Sequence, residues 1–285
     1  MRHESRRVVA PDGAVLAVYV HTPSTAGPQT PTLVLAHGWT LSHRSWSPVV
    51  EALADDPVRI VTWDQRGHGR SRLRLRRKEV DTVSIDHLGT DLAAVVDSVV
   101  PPSSPLVLAG HSMGGMTVMS YAAQFPTAVA ARVRGVVLVS TAAHGIPLGR
   151  RVGEARLMRF LARGLPLRGG RAIPARSQRA FLFGESADPG HVRETVRQVG
   201  RTPLTTMGAF YGAISRLDVR AAFTALGQVP VTVLVGERDQ LTPPSLSRRL
   251  AEDLPHASLT VVPGAGHMLT YEATDTVVAA IRAHL

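Results

Sequence analysis

The sequence predicts an α/β fold, in which a mostly parallel sheet carries helices on both faces and one helical insertion interrupts the alternation. Three observations lead there. Short aliphatic runs alternate with stretches whose apolar residues recur at helical spacing. Two of the runs end at glycine-punctuated loops, His37-Gly38 and residues 64–71. The alternation stops near Thr141, resumes after Leu226, and holds no convincing buried strand in between. Strands alternating with helices pair in parallel, because each helix returns the chain across a face of the sheet.

In chain order, residues 6–10 and 14–20 flank Pro11-Asp12-Gly13 and read as strand, turn, strand. A proline-rich linker from Pro23 to Pro31 leads into Leu33-Val34-Leu35-Ala36, a run suited to a strand buried on both faces. Trp46 to Ala54 reads as a helix, and Val58 to Trp63 as the next strand. A glycine-punctuated loop follows, Asp64-Gln-Arg-Gly-His-Gly-Arg-Ser71. From Ser84 to Val100, Ile85, Leu88, Leu92, Val95, Val96 and Val99 share one helix side. Leu106 to Ala109 is a buried strand, Met113 to Gln124 a helix, and Val136 to Val139 a strand. After the interruption come a strand at 229–235, a helix at 244–253, a strand at 258–262 and a closing helix at 274–284. The expected division is a core over 1–140, a helical cap over 141–226 and the rest of the core over 227–285. An insertion of that length is too long for a structureless loop.

Composition narrows the function classes. Hydrophobic residues make up 44% of the 285-residue chain, enough for a sizeable core. The formal charge of +10 comes from arginine, Lys78 being the only lysine. A basic field can draw in acidic partners, but arginine throughout, beside abundant alanine and valine, also reads as composition bias. No nucleic-acid motif accompanies the charge, and aromatic residues for base stacking are few. No apolar run approaches the ~20 residues that span a bilayer, and the first residues lack the apolar stretch of a signal peptide; a cytoplasmic protein is expected. Without cysteine there are no disulfides, thiolate metal sites or cysteine nucleophile. No spacing of histidines and acids suggests a metal or organic cofactor, so none is expected.

Gly110-His111-Ser112-Met113-Gly114 fits G-x-S-x-G. The five-residue pattern is common alone, but here a buried strand precedes it and a helix follows at once. A turn this sharp lifts the Ser112 hydroxyl clear of the sheet at a helix N-terminus, where the dipole favours negative charge. Gly110 and Gly114 let neighbouring backbones approach. A serine needs a base, and among twelve histidines His267 stands out. It follows Pro263-Gly-Ala-Gly directly after the last strand, at the carboxyl edge where open α/β sheets bind ligands. Asp239, ending Gly236-Glu-Arg-Asp239, occupies the matching place after strand 229–235 and would fix the imidazole's tautomer. Glu237 is the rival acid, and Asp239 could instead serve only as a turn residue. The oxyanion formed in acyl transfer needs preorganised N–H donors. Those expected are the backbone N–H of Met113 and that of Trp39, in the loop that Gly38 frees to turn.

With these motifs together, the chain resembles the α/β-hydrolase superfamily over nearly its whole length. The matching segments are His37-Gly38-Trp39, 64–71, Gly110 to Gly115, Gly236 to Asp239 and Gly264 to His267. The chain order Ser, Asp, His is that of this superfamily. The resemblance is to the branch of small-molecule esterases, cofactor-free perhydrolases, C–C bond hydrolases and epoxide hydrolases. It implies eight strands and a helical lid after the sixth. Relatives that open epoxides or displace halide use aspartate as nucleophile, so Ser112 argues against both. In the loop 64–71, Arg66 and His68 are expected to serve the turn and stay outside the site. In the cap, Arg150, Arg151, Arg156, Arg159, Arg163, Arg168, Arg171, Arg176 and Arg179 far outnumber Glu154. They could hold a substrate carboxylate or an acidic carrier protein, or form a solvated surface. Phe160, Leu161, Phe181, Phe183, Met207, Phe210 and Tyr211 could line an acyl pocket or pack the cap. The expected function is hydrolysis of an ester or related acyl bond in a small, fairly apolar molecule through an acyl-enzyme on Ser112. The alternatives are acyl transfer, thioester hydrolysis or perhydrolysis with the same residues, or a ligand-binding protein without turnover.

Overall fold

In the computed structural model, which describes every residue except 74–76, 149–152, 165, 166, 168–173 and 186, eight strands form one sheet. They are β1 (Arg2–Val9), β2 (Val15–Thr22), β3 (Thr32–Ala36), β4 (Arg59–Asp64), β5 (Leu106–His111), β6 (Val133–Val139), β7 (Val231–Gly236) and β8 (Ala257–Val262). Their order is β1-β2-β4-β3-β5-β6-β7-β8. β2 pairs antiparallel with β1 and β4, and every other pair is parallel. The expected mostly parallel, eight-stranded architecture is the one observed.

Among the described residues the helices are α1 (Ser47–Ala52), α2 (Ile85–Val99), α3 (Met113–Gln124), α4 (Pro126–Arg132), α5 (Glu154–Ala162), α6 (Ala175–Leu182), α7 (Pro189–Arg201), α8 (Leu204–Ser215), α9 (Phe223–Leu226), α10 (Pro244–Asp253), α11 (Leu269–Glu272) and α12 (Thr274–Arg282). The central strands feed two cores, because successive side chains point to opposite faces. Val34, Leu106, Leu108, Val136 and Leu138 join Leu88 and Leu92 of α2 and Met116 and Met119 of α3. Leu33, Leu35, Val107, Val137 and Val139 join Val49 of α1 and Val277 and Ile281 of α12. Burial on both faces explains why these strands read as continuous aliphatic runs.

Proline shifts several boundaries from those read in the sequence. The stretch 46–54 divides into a 3-10 turn, His43–Trp46, and α1, whose first turn Pro48 presets. Pro126 opens α4, a helix the periodicity does not reveal. β7 starts at Val231 because Pro230 has no N–H for the ladder, although its carbonyl still accepts from Val136 N–H at 3.0 Å. The outer strand β1 is exposed and carries Arg2, His3, Glu4, Arg6 and Arg7, charges that discourage further strand pairing.

The order of strands decides where a site can form. The chain runs from β3 outward to β4, then crosses to β5 on the other side of β3. That reversal opens a crevice between the carboxyl ends of β3 and β5, where Ala36 lies opposite Gly110. Helices α5 to α9 run between β6 and β7. The segment leaves and returns at one point, where His144 bridges Asp218 and Val219 N–H donates to Ala143 C=O at 3.0 Å. Ala162 of α5 and Phe210 and Ile214 of α8 pack into the first core. Phe183, after α6, packs instead on Leu41, Met268 and Tyr271.

Candidate active site

Ser112 is the residue between β5 and α3, with φ 54° and ψ −119°. That conformation is strained for a residue with a side chain, by about 1–3 kcal/mol, and the surroundings enforce it. Ser112 N–H donates to Val139 C=O at 2.9 Å, and its own carbonyl accepts from Thr141 Oγ1 at 2.7 Å and Gly115 N–H at 2.9 Å. The elbow closes because two glycines leave room: a Cβ on Gly110 would strike the backbone of Gly114, and one on Gly114 the Ala36 carbonyl. Met113 is the first residue of α3, so its N–H belongs to the helical turn that has no acceptor within the helix.

The loop after β3 lies against this elbow. A Cβ on Gly38 would sit 3.2 Å from Ser112 Cβ, a packing only glycine permits without adjustment. The loop is pinned from behind by His37, Gln65 and Thr117. His37 Nδ1–H donates to Gly38 C=O at 2.7 Å, and His37 Nε2 accepts from Gln65 N–H at 2.9 Å. The Gln65 amide donates to His37 C=O, and its oxygen accepts from Thr117 Oγ1 of α3 at 2.6 Å. Burial pushes the His37 imidazole down to about 4, so it is neutral and can accept as well as donate. One side chain thus ties the loop bearing Trp39 to the helix bearing Met113.

Asp239 and His267 come together from the loops after β7 and β8. His267 Nδ1–H donates to Asp239 Oδ2 at 2.8 Å, and both side chains are buried. Thr242 Oγ1 donates to the same oxygen at 2.8 Å, while Leu241 and Thr242 N–H groups donate to Oδ1 at 2.9 and 2.8 Å. Burial alone would raise the Asp239 pKa, but the His267 imidazole and the Thr242 donors outweigh it and hold it below the usual carboxylate range. The rival acid Glu237 points elsewhere: it accepts from Gly264 N–H at 2.9 Å. His111 adds a contact that no motif announces. Its Nε2–H donates to the His267 carbonyl at 2.8 Å, and burial, then the neighbouring His267, push its pKa down to about 3. His111 is therefore a neutral strut between the serine elbow and the histidine loop. Glu272 braces the same loop by accepting from the N–H groups of Gly266 at 3.1 Å and Met268 at 3.0 Å.

Ser112, His267, Gly38 and Trp39 border one cavity of about 790 Å³, a size typical of small-molecule sites. Leu41, Met158, Phe181, Leu182, Met207 and Tyr211 make most of its wall apolar, and Glu154 is the one acidic or basic side chain besides histidine among its described lining residues. Of the apolar residues singled out in the sequence, Phe181, Met207 and Tyr211 line the cavity. Phe183 and Phe210 are buried elsewhere, and Phe160 is 74% exposed. No described arginine borders the cavity. Arg159 and Arg163 pair with Asp81, whereas Arg150, Arg151, Arg168 and Arg171 lie outside the described residues. Arg66 forms a bidentate pair with the buried Asp91 at 2.7 and 2.6 Å, and His68 Nδ1–H donates to Arg66 C=O at 3.0 Å. Both serve the loop, as expected.

The chain is similar to the monoacylglycerol lipase of Mycolicibacterium smegmatis, 28% identical over 93% of this chain and 91% of that one. It is likewise similar to the pimeloyl-[acyl-carrier protein] methyl ester esterase of Xanthomonas oryzae pv. oryzae, 28% identical over 83% and 88%. Among solved structures, a thermophilic esterase from Thermogutta terrifontis shares the fold with a TM-score of 0.79 at 22% identity, over 98% of this chain and 97% of that one. The family model described as serine aminopeptidase, S33, matches residues 27–274, and the chain belongs to that family of α/β-hydrolases.

Proposed function

We propose that the protein hydrolyses an ester of a small, fairly apolar molecule, with residues 141–226 as the cap over its site. The observation that carries this reading is the buried Asp239–His267 pair, whose His267 borders the same apolar cavity as Ser112 on its strained elbow. Ser112 Oγ attacks the ester carbonyl while His267 Nε2 takes its proton. Asp239 holds Nδ1–H and stabilises the imidazolium. The oxyanion sits against the N–H groups of Trp39 and Met113. Collapse expels the alcohol, which receives the proton from His267, and leaves the acyl group on Ser112. Water then gives its proton to His267, attacks the acyl carbon, and releases the acid with Ser112 restored. Among the described residues lining the cavity, Glu154 is the one charged side chain besides histidine, which favours a neutral acyl chain over a carboxylate-bearing one.

Activity on p-nitrophenyl esters of increasing chain length tests this. Turnover is expected with the acetate and butyrate, with kcat/KM rising as the acyl chain fills the cavity. Ser112→Ala is expected to lose at least about 10³-fold in kcat. Retention of wild-type turnover in that variant would remove Ser112 from the mechanism. A folded protein inert to every ester yet binding one saturably would favour the ligand-binding alternative.

A further inference from the structure

The loop that carries Trp39 is held from two sides. Behind it stand His37, Gln65 and Thr117. Farther along, the chain takes a conformation that threonine avoids. Leu41 N–H donates to Gly38 C=O at 3.2 Å, closing a four-residue turn whose third residue, Thr40, has φ 63°. Positive φ at that position of a turn suits glycine or asparagine, and a β-branched residue there is a rare exception. The Thr40 hydroxyl donates to the Trp39 carbonyl at 2.6 Å, which ties the turn to itself and to nothing else. A turn of this kind keeps its shape only with a hold from outside.

That hold comes from the end of α7. Pro203 follows Thr202, and a residue before proline is pushed out of the helical region. Thr202 accordingly has φ −72° and ψ 128° and ends the helix. Its buried hydroxyl donates to the Thr40 carbonyl at 2.9 Å, the Gln198 carbonyl lying farther off at 3.3 Å. One helical turn back, the buried Gln198 accepts at Oε1 from both the N–H and the hydroxyl of Ser42, each at 3.0 Å. Its amide nitrogen donates to Tyr271 Oη at 3.1 Å and to Glu194 Oε1 at 3.3 Å, so the side chain is fixed at both of its ends. Among the described lining residues, Trp39 and Thr40 border the cavity, whereas Thr202 and Gln198 do not. Residues 40 and 42 are thus held by side chains outside the cavity wall.

We propose that Thr202 and Gln198 are positioning residues for the oxyanion, holding Thr40 in its left-handed conformation and so fixing where the Trp39 N–H points. Loss of the Thr202 hydroxyl takes the donor from a buried carbonyl and frees Thr40 to relax to negative φ. The peptide groups beside Trp39 then turn with it. The effect falls where negative charge develops on the substrate oxygen, in the transition state, and leaves the ground-state complex nearly as it was. The inference rests on the hydrolytic reading, in which the Trp39 N–H is an oxyanion donor.

Thr202→Val, which keeps the side chain's shape and removes its donor, tests this in the full chain on p-nitrophenyl acetate. Expected is a fall in kcat of about tenfold to a hundredfold, short of the roughly 10²–10³-fold that deleting a donor costs, with KM within threefold of wild type. Binding of a short alkyl trifluoromethyl ketone, which Ser112 converts to an oxyanion-bearing hemiketal, should weaken by the same factor as kcat/KM. Thr202→Ser keeps the hydroxyl and should recover both. The acid limb of the kcat/KM profile should stay in place, because the Asp239–His267 pair is untouched. A purely structural role would lower the melting temperature and leave kcat and ketone affinity of the folded variant at wild-type values, which would overturn the proposal. A shifted acid limb would overturn it too, as would a loss of kcat without a matching loss of ketone binding. If Thr202→Val does not fold, Gln198→Met is read in the same assays with the same expectations. A wild type that hydrolyses no ester overturns the hydrolytic reading and this one together; an active wild type matched by a folded variant overturns this one alone.

Discussion

Asp239 shows how one carboxylate can be committed to one tautomer. Its four donors fill both oxygens, and only the one from His267 belongs to a group that moves protons. Asp239→Asn replaces an acceptor with an amide whose NH2 can donate to His267 Nδ1. The imidazole proton then shifts to Nε2, where a base must be unprotonated. Expected is a fall in kcat of about 10³–10⁴-fold with little change in KM, measured on a soluble ester. A loss under tenfold would reduce Asp239 to a turn residue. Ser112, Asp239 and His267 are legible in the sequence because each follows a strand whose carboxyl end must border the crevice. His111 and Thr242 are not. Their roles depend on which backbone carbonyl or carboxylate lies within 3 Å after folding, and neither carries a spacing that announces it.

At the scale of elements, the cap and the histidine loop are joined by backbone hydrogen bonds through one side chain. Glu272, in α11, accepts from Gly184 N–H at 2.6 Å as well as from Gly266 and Met268. His267 N–H itself donates to the carbonyl of Leu182, the last residue of α6, at 2.8 Å. The position of His267 is therefore tied to that of α6. Glu272→Gln keeps the shape but removes the charge, and an amide nitrogen cannot accept. Expected is a loss of about 1.5–3 kcal/mol in unfolding free energy from denaturant titration, with kcat falling more than the affinity for ester. Unchanged stability and kcat would show that the loop holds itself. Within the elements, α2, with strong apolar periodicity, is readable almost to its ends, and α3, buried all round, is placed by the serine elbow that precedes it. α4 and α11 escape because they are too short for a period to register. The arginines between 150 and 179 look equivalent in sequence, yet among the described ones folding pairs Arg159 and Arg163 with Asp81.

For the whole molecule, the loop 64–71 fastens the sheet to its helices, which explains its polar residues without a role in chemistry. Arg66 links Asp91 of α2 to Asp12 of the first turn, at 2.6 and 2.7 Å. Asp64, fully buried, accepts from His43 Nδ1–H at 2.8 Å, His43 N–H at 2.9 Å and Arg70 N–H at 2.8 Å. Burial would raise its pKa, but His43 and these donors outweigh that and bring it down to about 2. A carboxylate depressed in the folded state stabilises the fold above its unfolded pKa, and that contribution disappears as pH falls through the folded value. Between pH 4 and 2 the wild type should therefore lose about 2 kcal/mol through this group. In Asp64→Asn the difference from wild type should be largest near pH 6 and shrink below pH 2, as read from urea unfolding across pH. A constant difference would mean that the charge of Asp64 contributes nothing. The parallel sheet was legible as a whole because buried strands leave aliphatic runs. The strand order was not, since pairing partners leave no mark in a single chain.

The central claim, that Ser112 is an activated nucleophile, is tested most directly by exposing the purified protein to a small fluorophosphonate and mapping the adduct by mass. The account predicts one equivalent of label, confined to Ser112 and absent from Ser112→Ala. A folded protein that takes up no label even from a methyl-sized probe, or takes it up at another residue, would contradict it.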